Sequence, residues 1–186
     1  MRIDEQIDGE SYKDAEIRGE EFEDCVFSKC DFSNAHIVDC KFIDCLFIDC
    51  NLSMTKLPET TLSNVRFEKC KLLGIHFNYC NDFIFEVGFN NSILDYSSFE
   101  KRKMMKTQFS GCSLKGVDFG FANLKQSVFS NCDLSEAIFY NTNLQETDFT
   151  ASFNYIINLS ENTVKKARFA KDGLSGLLAN YNIIIE

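Results

Sequence analysis

The 186-residue chain contains no tryptophan, one proline and two histidines. A single proline suits a chain whose backbone N–H groups are mostly needed for hydrogen-bonded ladders, because proline cannot donate one. The sequence has no apolar run long enough to span a membrane and no charged segment followed by an apolar leader. We therefore expect a cytoplasmic protein that does not enter a membrane.

The sequence also lacks the short motifs that mark many enzymes. It has no glycine-rich phosphate loop, no His-Glu-x-x-His motif and no nucleophile elbow. The two histidines, His36 and His76, lie forty residues apart. In the repeat described next this is two coils, or about 10 Å, which is too far for a shared metal. We predict no enzymatic activity, no cofactor and no metal site.

A large apolar residue stands at every fifth position of this chain instead. One block runs over residues 17–77 and a second over residues 89–149, and the residue two places earlier is usually small. A period of five fits neither an α-helix nor a strand. Phenylalanine also returns every twenty residues, at Phe89, Phe109 and Phe129. This longer period predicts a coil with four repeats per turn, in which like residues stack along four faces.

The repeat resembles the pentapeptide repeat proteins, whose unit is A-(D/N)-(L/F)-x-x. The matching units lie between residues 15 and 150 and include CDFSN, CKFID, CNLSM, VDFGF, ANLKQ, CDLSE, TNLQE and TDFTA. The resemblance implies an all-β fold, a right-handed, four-sided parallel β-helix with a short C-terminal helix. Contacts between neighbouring coils largely stabilise a solenoid of this kind.

The repeat predicts a β-helix domain over residues 1–150, with a register break near residues 78–88. We interpret the break as a bulge or short loop, and a functional loop is the alternative. Just after it, Arg102 falls at a small inward position, where a buried charge needs an acidic partner or an outward distortion of the chain. We interpret the basic run over residues 101–106 as a solvated corner and not as a nucleic-acid patch.

Nine cysteines invite a metal or disulfide interpretation. All of them fall in the register of the small inward position, where cysteine behaves as a compact hydrophobe. Parallel stacked side chains are also poor disulfide geometry. We therefore predict reduced, structural thiols at Cys25, Cys30, Cys40, Cys45, Cys50, Cys70, Cys80, Cys112 and Cys132.

Residues 151–186 are predicted to form a C-terminal cap with a short helix. Apolar residues at helical spacing are followed there by three isoleucines. Similar pentapeptide proteins dimerise through such a helix, so the resemblance implies a tail-to-tail homodimer, with a simple cap as the alternative. The predicted dimer-interface residues are Leu174, Leu177, Leu178, Tyr181, Ile183, Ile184 and Ile185.

The charge is concentrated in the first third of the chain. Residues 1–60 contain fifteen acidic and six basic side chains, whereas the remaining residues contain thirteen of each. Counting two places after each central residue aligns several acids along the coil. The predicted partner-binding stripe consists of Glu23, Asp24, Asp39, Asp44 and Glu59. Because the chain has a net charge of −9, we expect no direct binding to nucleic acid.

The chain further resembles the quinolone-resistance (Qnr-type) and mycobacterial fluoroquinolone-resistance proteins of this family. That resemblance implies a dimeric rod that imitates duplex DNA on a type II topoisomerase, DNA gyrase or topoisomerase IV, and that protects or modulates it. Residues 16–60 carry roughly one net charge per 1.8 Å of coil axis, compared with about one per 1.7 Å in B-DNA. The alternative is a protein-interaction scaffold of unknown partner, without DNA mimicry.

Overall fold

The chain winds into a coil that advances by one level every twenty residues. The computed structural model describes residues 1–181, 183 and 184. Phe47 pairs in parallel register with Phe27 on one side and with Phe67 on the other. The predicted parallel, four-sided β-helix with a short C-terminal helix is confirmed.

Short strands separated by tight turns make up most of the described chain. The strands are β1 (Arg2–Ile3), β2 (Gln6–Asp8), β3 (Glu16–Arg18), β4 (Glu21–Glu23), β5 (Val26–Ser28), β6 (His36–Val38), β7 (Lys41–Ile43), β8 (Leu46–Ile48), β9 (Thr61–Glu68), β10 (Phe85–Asn90), β11 (Gln108–Ser110), β12 (Val128–Asp133), β13 (Asp148–Phe153) and β14 (Arg168–Phe169). The helix is α1 (Leu174–Leu178), and 3-10 turns occupy Phe77–Tyr79, Lys171–Gly173 and Ala179–Tyr181.

Each repeat turns the chain by a residue with positive φ, two places after the central apolar residue. Asp24, Lys29, Asn34 and Asp39 are four such corners in succession, with φ between 51° and 57°. This left-handed backbone region favours glycine, asparagine and aspartate. We number the faces by their central residues and name each corner after the face that it follows.

The four faces can be traced from one coil of the first block. Face 1 passes through Phe22, face 2 through Phe27, face 3 through Phe32 and face 4 through Ile37, and all four side chains are buried. The small residue two places earlier also points inward in this part of the coil; Cys25 and Ala35, for example, have no exposed surface. The predicted pattern of two inward residues in five therefore holds here.

Stacked phenylalanine rings line face 2 over most of the rod. From Phe27 to Phe169, consecutive ring centroids lie 4.6 to 5.4 Å apart. Below them Ile7 pairs with Phe27, which gives nine levels in all. Eight steps of about 4.8 Å give a rod roughly 38 Å long.

The coil continues past the predicted boundary at residue 150. Strand β14 pairs Arg168 with Asp148 and Phe169 with Phe149. The ring of Phe169 stacks on that of Phe149 with an interplanar angle of 1°. The last coil therefore includes residues that the sequence analysis assigned to the cap, because the repeat there is carried by isolated residues without a regular five-residue period.

The register break is a four-residue loop over residues 81–84. The coil absorbs two extra residues here, since Phe77 stacks on Phe99, which is 22 residues later, with centroids 4.6 Å apart. Phe83 is 95% exposed at the tip of the loop. Phe85 then returns to face 1, where it pairs with Leu62.

Arg102 holds this loop against the coil. Its side chain is 3% exposed and stays inside, where it donates hydrogen bonds to the carbonyl oxygens of Cys80 at 3.0 Å and Asn81 at 2.5 Å. It also donates to the carboxylate of Asp82 at 2.5 Å, and its guanidinium lies 4.3 Å from the ring centroid of Phe85. The sequence predicted either an acidic partner for Arg102 or an outward distortion of the chain, and the structure shows the acidic partner, Asp82.

The C-terminal helix lies directly on the open end of the coil. Its Leu177 side chain is 6% exposed and joins the core. Two glycines make this approach possible. A Cβ atom added to Gly173 would lie 1.8 Å from the Tyr155 hydroxyl oxygen, and one added to Gly176 would lie 1.9 Å from the Tyr155 carbonyl oxygen.

Truncation of one stacked ring tests the core. We predict that Phe129→Ala lowers the free energy of unfolding by about 3–5 kcal/mol, because its stacked neighbours cannot collapse into the cavity. Urea denaturation followed by circular dichroism measures the change. Phe83→Ala, at the exposed loop tip, is the control and should change stability by less than about 0.5 kcal/mol. Equal effects in both variants would contradict the stacking account.

Removal of Arg102 tests the loop anchor. Arg102→Leu should destabilise the protein by about 1–3 kcal/mol, because the buried carbonyl groups of Cys80 and Asn81 lose their donors. We also expect faster proteolytic cleavage within residues 81–86. Lys103→Leu, at the exposed neighbouring position, should leave both measurements near those of the wild type. Unchanged cleavage in Arg102→Leu would show that Arg102 does not hold the loop.

Candidate functional site

The cysteines lie inside the coil and do not form a reactive site. All nine are buried and unpaired. Six of the thiols donate to backbone carbonyls of the preceding coil, as Cys45 does to Phe22 at 3.4 Å and Cys50 to Phe27 at 3.3 Å. Burial raises the pKa of Cys45 to about 11 and that of Cys80 to about 12. These are the properties of structural thiols and not of nucleophiles.

The histidines are likewise separated by the coil. His36 bridges to Lys56 on the next level of face 4, and His76, one level beyond Lys56, bridges to Ser98. The two histidines are therefore two levels apart. Among the residues that the structure describes, no group of three His, Cys, Asp or Glu side chains could hold a metal ion.

Thiol accessibility provides a direct test. At about pH 8 the native protein should react with a thiol reagent far more slowly than the urea-unfolded chain, in which the nine thiols have ordinary pKa values near 8.5. Since burial raises the native pKa values of Cys45 and Cys80, their contribution to the free energy of unfolding should fall as pH rises from about 9 toward 11. A rapidly labelled cysteine in the native protein would contradict the structural assignment.

The structure brings the predicted acidic residues to one side of the rod. Asp24 and Asp44 occupy the corner after face 1, and Asp39 and Glu59 occupy the corner after face 4, which is the other edge of face 1. All four are exposed, whereas Glu23 is half-buried on face 1 itself. The five carboxylates therefore frame the first half of a single face.

Backbone hydrogen bonds fix the positions of these corners. The Asp24 N–H donates to the carbonyl of Ile43 at 3.0 Å, and the Asp44 N–H donates to that of Ser63 at 2.9 Å. Corresponding corners thus lie one level apart, about 4.8 Å along the rod. The Asn64 side-chain amide continues the column and donates to the Asp44 carboxylate at 2.6 Å.

One residue of this surface escaped the sequence analysis. Asp4 has the same positive φ of 55°, and its N–H donates to the carbonyl of Glu23 at 3.0 Å. It therefore begins the column that Asp24 and Asp44 continue. Extending the five-residue period backwards from Ile17 through Ile7 to Arg2 would have located it, since Asp4 lies two places after Arg2, which pairs with Phe22.

The corner backbone does not by itself require a negative charge. Aspartate and asparagine both suit a positive φ, yet the chain uses them in different regions. Every corner aspartate lies within residues 1–60, at Asp4, Asp14, Asp24, Asp39, Asp44 and Asp49. Asparagine occupies one corner before residue 60, Asn34. After residue 60 aspartate occupies no such corner, and the corners there include the asparagines Asn64, Asn91, Asn131, Asn141 and Asn154 and the glutamates Glu136 and Glu146. The charge is thus an additional property of the N-terminal coils.

The predicted dimer residues separate into two groups. Leu177 packs on the last coil of its own chain, so it serves as a cap and drops out of the predicted interface. Leu178 is half-buried, and the exposed members are Leu174, Tyr181, Ile183 and Ile184. Ile183 and Ile184 follow the last 3-10 turn and are not part of a strand. Ile185 lies outside the described residues.

Family models match most of the coil. A model described as a pentapeptide repeat region matches residues 20–99, and one described as pentapeptide repeats (8 copies) matches residues 112–150. The chain belongs to the pentapeptide repeat family. No curated protein matches the sequence.

Solved structures match this chain at low sequence identity and with TM-scores below 0.5. Full-length QnrB1, a plasmid-mediated fluoroquinolone resistance protein, is 20% identical with a TM-score of 0.49, and the match covers 98% of this chain and 99% of that one. HetL from the cyanobacterium Nostoc sp. strain PCC 7120, involved in heterocyst differentiation regulation, is 14% identical with a TM-score of 0.48, covering 92% and 89%. A pentapeptide repeat protein of the Arabidopsis thaliana thylakoid lumen is 19% identical with a TM-score of 0.35, covering 61% and 65%.

Structural matches with so low an identity and TM-score do not indicate what this chain does. Among the described residues, no helix has the length and apolar character needed to cross a lipid bilayer.

Proposed function

We propose that this pentapeptide repeat protein is a non-catalytic, DNA-mimicking rod that binds a type II topoisomerase, DNA gyrase or topoisomerase IV, and modulates the action of quinolones on it. The observation that carries the proposal is the use of aspartate at N-terminal corners where asparagine would serve the backbone equally well. Uncompensated carboxylates kept in a regular array favour a partner surface that normally binds phosphates.

The rigidity of the rod supports this proposal. Each acidic corner is bonded through its backbone to the next coil, as for Asp24 and Asp44. A partner would therefore meet charges already held in position and would not have to order them on binding. Among the described carboxylates of the array, Glu21 has a lysine neighbour, Lys41, at 3.4 Å. The carboxylates of Asp24, Asp39 and Glu59 have no such ion pair within the described chain.

We further propose that two copies associate tail to tail through the exposed part of the C-terminal segment. Leu174, Tyr181, Ile183 and Ile184 would supply the contact, since each is 49% to 89% exposed in the single chain. Such a pair would double the length of the rod and place an acidic region at each end.

A protein-interaction scaffold without DNA mimicry is the second candidate. The observation that favours it is the loop over residues 81–84, where Phe83 is 95% and Ile84 is 47% exposed. Exposed aromatic side chains of this kind are common at the centre of protein interfaces. On this proposal the acidic corners would serve solubility only.

Neutralisation of the corners tests the proposed function. Asp24→Asn combined with Asp44→Asn keeps a residue suited to positive φ, so folding and stability should stay within about 0.5 kcal/mol of the wild type. We expect this double variant to lose most of the effect of the protein on gyrase or topoisomerase IV. Supercoiling and decatenation assays, with and without a fluoroquinolone, measure that effect.

The matched control is Asp14→Asn combined with Asp49→Asn. These aspartates occupy the same kind of corner, after faces 3 and 2, on the sides of the rod away from face 1. The control should retain wild-type activity in the same assays. If the wild type neither protects nor inhibits either topoisomerase at micromolar concentration, the scaffold proposal replaces the DNA-mimic proposal.

A further inference from the structure

The net charge of face 1 and its two flanking corners changes from negative to positive along the rod. The first half carries seven carboxylates and two basic residues: Asp4, Glu21, Glu23, Asp24, Asp39, Asp44 and Glu59, with Arg2 and Lys41. The second half carries six lysines and two glutamates: Lys101, Lys103, Lys106, Lys125, Lys165 and Lys166, with Glu146 and Glu161. The surface is therefore acidic at one end and basic at the other.

The loop over residues 81–84 lies at the midpoint of this surface. Parallel pairing places Phe85, which ends the loop, one level after Leu62 on face 1. Four levels precede Phe85 and four follow it, and the central positions of the nine levels are Arg2, Phe22, Phe42, Leu62, Phe85, Met104, Leu124, Leu144 and Val164. The acidic and basic halves thus have equal length on either side of the loop.

Apolar side chains surround this midpoint. Phe83 is 95% and Ile84 47% exposed, and the flanking Tyr79 and Met105 are 61% and 57% exposed. The loop stands between two hollows. One of about 560 Å³ includes Met105 among its lining residues, and one of about 340 Å³ includes Tyr79. An apolar projection beside two hollows is a shape that can fit a copy of itself.

We propose that face 1 is a self-association surface on which two copies of this chain lie antiparallel, related by a two-fold axis through the loop. A two-fold axis places a residue n levels before the loop in one copy opposite a residue n levels after the loop in the other copy. Each such contact therefore occurs twice in the dimer, with the two copies exchanged. The acidic half of each copy then faces the basic half of the other. One level from the axis, Glu59 of one copy meets Lys101 of the other.

The two loops meet at the axis, where Phe83 of each copy enters a hollow of the other. Burial of these apolar side chains supplies the attraction that surface ion pairs alone provide weakly. The net charges of the two halves, negative before the loop and positive after it, favour the antiparallel orientation, with Glu59 opposite Lys101 and one pair of like charge, Asp24 opposite Glu146. A parallel pair would set the two acidic halves against each other.

This association differs from the proposed tail-to-tail pair in its consequence. A tail-to-tail pair leaves face 1 open, whereas the antiparallel pair covers the acidic corners on both copies. Self-association would therefore compete with any partner that binds those corners. The association itself does not depend on the proposed topoisomerase function, and its test contains no topoisomerase.

Sedimentation equilibrium tests the proposal in full-length chains that carry Ile183→Asp and Ile184→Asp, so that the proposed tail-to-tail contact does not contribute to the measured dimer. Lys101→Glu combined with Lys106→Glu should raise the dissociation constant of the dimer at least about tenfold at roughly 0.1 M salt. Lys29→Glu combined with Lys69→Glu makes the same charge change at corners with the same positive φ, but after face 2. This control should leave the dissociation constant unchanged. Raising the salt to about 1 M should weaken the wild-type dimer in the same direction.

A charge exchange tests the antiparallel register. Glu59→Lys alone should weaken the dimer, and combining it with Lys101→Glu should restore wild-type affinity, since the facing pair is then reversed and not broken. Failure of this rescue would overturn the proposed register. A wild-type chain that stays monomeric at low salt would overturn the proposal as a whole.

The tail contact is distinguished in the same experiment. Ile183→Asp combined with Ile184→Asp should leave the antiparallel dimer intact, because these residues lie beyond face 1 at the end of the rod. A dimer that is lost in this variant but kept in a chain that carries only Lys101→Glu and Lys106→Glu would assign the pairing to the C-terminal segment and contradict the proposal.

Discussion

The structure depends on a corner with positive φ that recurs every five residues and is bonded through its N–H to the coil above. This hydrogen bond, made by Asp24 and Asp44 at about the usual amide distance, fixes where each face begins. Two inward positions per repeat and columns of like residues follow from it. The phenylalanine stack on face 2 and the acidic corners beside face 1 are two products of the same constraint.

Much of the fold follows from the sequence because the repeat is carried by side chains that stack on copies of themselves. The period of five predicts the turn and the period of twenty predicts the four faces. The sequence analysis failed where the pattern depends on partners outside the repeat. Arg168 and Phe169 join the coil through strand pairing and through the stacking of Phe169 on Phe149. Leu177 belongs to the cap because two glycines let the helix approach Tyr155.

The candidate site was predictable in part for the same reason. The columns containing Asp24 and Asp39 follow from counting corners. Asp4 was missed because the central residue of its repeat is Arg2, which is not apolar. The position of the loop relative to the charges could not be read from the sequence. Its place at the middle of face 1 depends on how Arg102 holds Asp82 and on the level at which Phe85 rejoins the coil.

The central claim is that the acidic corners occupy a surface which otherwise binds duplex DNA. The most direct measurement is competition, in which labelled duplex DNA bound to gyrase or topoisomerase IV is titrated with this protein and followed by fluorescence anisotropy. The account predicts that the DNA is displaced and that added DNA in turn displaces the protein. A ternary complex, in which both bind together with unchanged affinity, would contradict it.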